Sequence, residues 1–169
     1  MSANLPCAPY LSWTSIPDEP MSDFQPLDPG YATRVRESFR SQRVMSTIGA
    51  ELTVVEPGHV EIELPFRADL TQQHGFMHAG IMTTICDSAA GYAAFTLMPA
   101  NSSILAVEFK VSLLRPAAGQ RFRAVSRVKR AGRRLTVSEM EAYAIDDTGA
   151  EKLCLTGLQT SMCLQATDR

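Results

Sequence analysis

The order of patterned segments predicts an α+β domain in which an antiparallel sheet wraps around one long central helix. Three observations carry this. Residues 78–97 run without a proline past Gly80 and with a single side chain charged at neutral pH, Asp87, beyond their first turn. Two strand-like segments precede that run and four follow it. The run is also apolar on nearly all sides, so it needs more cover than one sheet face gives, and a second subunit would supply it.

The central segment, His78-Ala79-Gly80-Ile81-Met82-Thr83-Thr84-Ile85-Cys86-Asp87-Ser88-Ala89-Ala90-Gly91 and on to Leu97, reads as a buried helix of about five turns. Helical spacing sets Thr83, Thr84, Asp87, Ala90, Gly91 and Ala94 on one side. Beyond the acid every residue of that stripe is small, so Asp87 is expected to look onto an open groove. A carboxylate in such a helix is costly to bury unless it is paired, hydrogen-bonded or facing water. The structural alternative is an acid capped by hydrogen bonds or by an arginine.

The other elements follow in order. Residues 1–32 hold Pro6, Pro9, Pro17, Pro20, Pro26 and Pro29, a density that prevents helix and sheet ladders and predicts an extended arm. Tyr10, Trp13 and Phe24 are candidates to pin part of it to the domain, which is expected over residues 33–165, or to a neighbouring subunit, the alternative being a disordered tail. Val35, Phe39 and Val44-Met45 predict one amphipathic helix over 33–47 behind a Thr33 cap. Ala50–Glu56 and His59–Leu64 read as a hairpin about Pro57-Gly58, with Val60, Ile62 and Leu64 alternating against Glu61 and Glu63. Residues 65–77 form a loop. Ser103–Leu114, Gln120–Lys129, Leu135–Ile145 and Lys152–Met162 read as strands, and Arg130–Arg134 and Asp146–Gly149 as turns.

Composition narrows the function classes. The 169 residues suit one domain, and 45% hydrophobic with 20% charged side chains is ordinary for a soluble globular chain. A net charge of −2 gives no general case for nucleic acid or an acidic membrane as partner. No apolar run suits a membrane span, and the first basic residue is Arg34, so no signal peptide is read and a cytoplasmic location is expected. Cys7, Cys86, Cys154 and Cys163 form no metal-ligand spacing, so no metal is expected. No Gly-x-Ser-x-Gly elbow is present, which removes the Ser-His-Asp hydrolase route. Seven basic residues fall within positions 121–134, and Arg130, Arg133 and Arg134 crowd one turn. Such a patch is either a solvated sheet edge or a phosphate site.

His78-Ala79-Gly80 with an acid nine positions after the histidine, followed by Val107-Glu108-Phe109-Lys110-Val111-Ser112-Leu113-Leu114-Arg115-Pro116, resembles the hotdog-fold acyl-CoA thioesterases of the PaaI and 4-hydroxybenzoyl-CoA thioesterase type. The resemblance covers residues 36–163 in element order, and its specific part is residues 72–117. It implies a hotdog fold, a curved antiparallel sheet around the helix, assembled as a homodimer or as a tetramer made of two dimers. The active sites would lie at the subunit interface, where the helix start of one subunit faces the acid of the other. It implies hydrolysis of an aryl- or medium-chain acyl-CoA with no cofactor, coenzyme A being part of the substrate.

By position, Asp87 is implied as nucleophile or general base, and the backbone N–H of Ala79, with Gly80, as the oxyanion site. Gln72 matches a position that contacts the thioester carbonyl, and His78 one that orders the loop. His74, Thr84 and Ser88 are further pocket candidates, and Arg130, Arg133 and Arg134 are candidates for coenzyme A phosphates. Three positions depart from the family pattern. Ala79 stands where glycine is usual, Ala106 where Ser or Thr is frequent, and Gly91 where some members carry a hydroxyl. These departures keep a non-catalytic acyl-CoA sensor or carrier as the alternative. A hydratase ranks lower, because the Asp-x-Asn-x-x-His spacing is missing.

Overall fold

The computed structural model describes residues 24–165. The chain forms α1 (Tyr31–Ser41), α2 (Arg43–Ile48), β1 (Glu51–Glu56), β2 (His59–Pro65), a 3₁₀ turn (Ala68–Leu70), α3 (Ala79–Phe95), β3 (Ser102–Leu113), β4 (Arg121–Ala131), β5 (Leu135–Ile145) and β6 (Glu151–Gln165). The six strands make one antiparallel sheet in the order β1-β2-β4-β5-β6-β3. It curves around α3, which touches every strand from β2 to β6. This is the hotdog arrangement.

Side-chain size explains how sheet and helix meet. Ala89, Ala90, Ala93 and Ala94 of α3 are fully buried and let the sheet approach closely. Ile85 fills the helix face, and Val60, Ile62, Leu64, Phe122 and Met140 close over it from the strands. Ala90 and Ala94 were expected on the open side of the helix. They lie in the core, and the open side is narrower: Thr83, Thr84, Asp87 and Gly91 keep partial exposure. Cys86 is buried beside them, and desolvation first, then the Asp87 charge, pushes its thiol far up, so it remains an inert core thiol.

The single helix expected over 33–47 is two helices, broken at Gln42, whose backbone is extended (φ −78°, ψ 92°). The buried residues are Val35 and Phe39, then Met45 and Ile48, while Val44 is 45% exposed. Phe39 and Met45 are six apart, a spacing no continuous helix places on one face, so the chain must turn between them. The strand predictions hold to within three residues at every end.

Phe24, the first described residue, packs on the β1–β2 turn. The Phe24 ring packs where a Cβ at Gly58 would stand, only 2.7 Å from its edge, and Gly58 has φ 73°; both facts require glycine there. Tyr10 and Trp13, the other candidate anchors, lie outside the described residues, as does Cys7.

Arg34 locks α1 to the end of the central helix. Its Nε donates to Asp28 (2.8 Å), its Nη2 donates to the carbonyl oxygens of Phe95 (3.3 Å) and Met98 (2.8 Å), and its guanidinium lies 4.0 Å over the Phe95 ring. The Asp28 carboxyl is held below its ordinary value by the Gly30 N–H and then by Arg34. A cation at the C-terminus of α3 satisfies carbonyls that the helix leaves open. Arg34→Met is expected to cost about 2–3 kcal/mol through those carbonyls, read as a lower urea midpoint at unchanged slope.

Candidate active site

The start of α3 is built by its N-cap. His78 has extended backbone (φ −64°, ψ 134°), and its Nδ1 accepts the N–H of Gly80 at 2.9 Å. A Cβ at Gly80 would stand 3.0 Å from that same nitrogen, so glycine is what lets the imidazole cap the helix. The His78 carbonyl accepts the N–H groups of Ile81 (3.0 Å) and Met82 (3.2 Å). The Ala79 N–H is left without a partner among the described residues. Of the two donors implied for the oxyanion, Gly80 is therefore committed to His78, and Ala79 is open.

The preceding loop is fixed by its backbone. His78 N–H donates to Leu70 O (3.0 Å), Met77 N–H to Ala117 O (3.1 Å), and Gln72 N–H to Phe76 O (2.9 Å). The Gln72 side-chain oxygen accepts the backbone N–H of His74, which holds the amide over the loop. His74 itself is exposed. Ala79, Gln72, Phe76 and Met82, together with Leu113–Ala117 and Leu155, line an apolar cavity of about 330 Å³.

Asp87 lies eight residues along α3, about 12 Å away at 1.5 Å per residue. It opens on a different cavity, of about 300 Å³, lined by Ser38, Ser41, Gln42, Ser88, Gly91, Tyr92, Ile104, Ala106 and Gln159. The carboxylate is half-buried and has neither a hydrogen bond nor an ion pair among the described residues. Burial alone raises its pKa above the ordinary 3.8. The structural alternative required a capped or arginine-paired acid, and Asp87 is neither.

Other expected pocket residues are already engaged. Thr84 Oγ1 donates to the Gly80 carbonyl (2.7 Å) and Ser88 Oγ to Gln42 Oε1 (3.2 Å). Ser88 does line the Asp87 groove; Thr84 does not. The basic patch divides into two. On the strands Arg123 bonds Glu61 (2.8 Å) and Glu151 (2.7 Å), and Lys129 bonds Glu139 (2.7 Å), so these hold strand to strand. In the β4–β5 turn Arg133 and Arg134 line a polar cavity with Cys163 and Gln165, and Arg130 is exposed beside it. Cys163 pairs in register with Ile104, a residue of the Asp87 groove.

Sequence reasoning missed Ser38, Ser41, Gln42 and Gln159. The first three are brought in by the break between α1 and α2, and Gln159 comes from the far end of the chain. Only the unexplained six-residue step between Phe39 and Met45 signalled the break.

A curved antiparallel sheet wrapped around one long helix is the fold of the hotdog proteins. The family model of the thioesterase superfamily matches residues 74–151. The crystal structure of a thioesterase family protein from Silicibacter pomeroyi is 50% identical, with a TM-score of 0.79, over 81% of this chain and 100% of that one. A presumed esterase from Saccharolobus solfataricus is 29% identical over 136 residues, 80% of this chain and 87% of that protein. The PaaI protein of the phenylacetic acid degradation operon of E. coli shares the fold, with a TM-score of 0.70 at 18% identity over 80% of this chain and 94% of that one. The chain belongs to the thioesterase superfamily and is a thioester hydrolase.

Proposed function

We propose that the protein hydrolyses an aryl- or medium-chain acyl-CoA at a site shared between two copies of the chain, with Asp87 as general base and the Ala79 N–H as oxyanion donor. The observation that carries this is the unpaired, half-buried Asp87 carboxylate at a polar groove. A carboxylate without partners is an available base, and burial moves it toward the pH at which it works. Its groove is polar enough to hold water. The Ala79 cavity is apolar and of a size for a ring or a medium acyl chain.

The sharing of the site is supported by β3. This strand is 12 residues long, lies at the sheet edge, and leaves Leu105, Val107 and Phe109 each about half exposed. The opposite edge, β1, is short, carries exposed Glu51 and Glu56, and is covered by α1. A long apolar edge is a template for pairing. The Ala79 cavity is lined by the C-terminal end of β3 and the residues after it, the Asp87 groove by its N-terminal end. Antiparallel pairing of two β3 edges about a two-fold axis sets one end beside the other, so each Ala79 cavity meets the partner's Asp87 groove.

In the reaction Asp87 takes a proton from water as the water oxygen adds to the thioester carbonyl carbon. The carbonyl oxygen becomes an oxyanion against the Ala79 N–H, at a helix start where partial positive charge favours it. Collapse breaks the C–S bond, and the protonated Asp87 returns its proton to the leaving thiolate of coenzyme A. Gln72 and His78 hold the loop that sets Ala79, and His74 stands at its rim. The coenzyme A phosphates are taken by Arg130, Arg133 and Arg134, at the groove end where Cys163 meets Ile104. No metal and no bound cofactor enters.

The test is thiol release from phenylacetyl-, benzoyl-, short-chain and long-chain acyl-CoAs, with binding measured beside it. Turnover of one aryl or medium-chain class is the expected result. Tight binding with no turnover on any thioester would replace this reading with the acyl-CoA sensor.

A further inference from the structure

Gln159 is a long polar side chain at the centre of β6, 1% exposed, paired in register with Ser138 of β5 and Phe109 of β3. Residues of this type are seldom buried so fully unless both ends of the amide are satisfied. Here Nε2 donates to Ser161 Oγ at 3.3 Å, and Oε1 has no partner among the described residues. The side chain lines the Asp87 groove.

Gly91, one turn beyond Asp87 on α3, faces it: a Cβ at that position would stand 3.6 Å from Gln159 Nε2. No side chain therefore separates the helix from the amide at that level. The other polar side chains of the groove each have a partner. Ser88 Oγ donates to Gln42 Oε1, Ser41 Oγ donates to Ser38 O, and Tyr92 Oη shares a bond with Ser38 Oγ. Gly91, Ile104 and Ala106 offer no polar side-chain atom at all. Gln159 Oε1 is the buried acceptor of this groove that has no partner of any kind among the described residues.

We propose that Gln159 Oε1 holds the hydrolytic water, accepting one of its protons while Asp87 accepts the other. This rests on the general-base reading of Asp87. With both protons directed to fixed acceptors, the water's lone pair is left for the thioester carbonyl carbon, and only the Asp87-bound proton is transferred. The amide thus does the orienting that a hydroxyl at position 91 or 106 would do, and the glycine opposite leaves it the room.

Gln159→Met preserves length and removes the acceptor; Gly91→Ala leaves Gln159 in place and sets a methyl 3.6 Å from its Nε2, filling the groove at the level of the amide. Each is expected to lower kcat about 10- to 100-fold, as misplacing a reactant does. KM should stay within about twofold, since acyl-CoA binding is untouched. Thermal melting checks the fold of both. A folded Gln159→Met with kcat within about twofold of wild type overturns the proposal, and so does a loss carried by KM alone. If Gln159→Met does not fold, the same criteria apply to Gly91→Ala. Asp87→Asn is run alongside. Full turnover in Asp87→Asn defeats the general-base reading itself, whereas turnover lost there and kept in Gln159→Met defeats the Gln159 inference alone.

Discussion

Asp87→Asn will hydrolyse the preferred thioester about 10²–10⁴-fold more slowly than wild type, the range that a positioned general base contributes. It will keep the fold, the oligomer and acyl-CoA binding, because the Asp87 carboxylate holds no other group among the described residues. The stability change separates a base from a structural acid. Burial raises the Asp87 carboxyl above 3.8, so between the unfolded and folded values the folded chain binds more protons than the unfolded one. Stability therefore falls as pH rises through that window, and the cost is carried in full at neutral pH. An amide has no charge to desolvate. Asp87→Asn is thus expected to melt at or above the wild-type temperature at pH 7, with the difference closing below about pH 4. A structural carboxylate would give the opposite: a lower melting temperature with turnover retained. In wild type the same shift sets the acid limb of the rate, which rises with pH around a midpoint above 3.8.

The parts of this site that were legible in the sequence are local ones. The central helix and its lone acid were legible from the apolar, proline-free run of residues 78–97, whereas the His78 cap at its start was not. The strands were legible because Val60, Ile62 and Leu64 alternate with acids, and because β3 to β6 are long and bounded by turn residues. The break at Gln42 was not, since Val44 beside Met45 imitates a continuing apolar face although Val44 is exposed. Nor was the membership of the groove. Gln42 and Gln159 are 117 positions apart and meet only because α1 folds back over α3 while β6 runs beneath it. The exposed side of α3 was overestimated for a related reason: small residues leave a groove only where no strand fills it, and at Ala90 and Ala94 the sheet does.

Ala79→Pro deletes the open N–H without disturbing the helix, and with it about 10²–10³ of the rate, as expected for an oxyanion donor. Position 79 is the first residue of α3, where proline is favoured because its missing N–H has no intrahelical role. The residue before a proline must be extended, and His78 already is, at φ −64° and ψ 134°. The variant is therefore expected to fold, with its melting temperature close to wild type. It also tests the sharing of the site when combined with Asp87→Asn. Each variant is inactive alone. After mixing and subunit exchange, half of the dimers are mixed, and each of these holds one site made from the intact Ala79 of one subunit and the intact Asp87 of the other. About a quarter of wild-type activity is then expected, from the statistics of a symmetric dimer. A site contained within one chain would recover nothing, because every chain in the mixture lacks one half. Recovery thus requires the two halves to come from different subunits, as antiparallel pairing of the β3 edges demands.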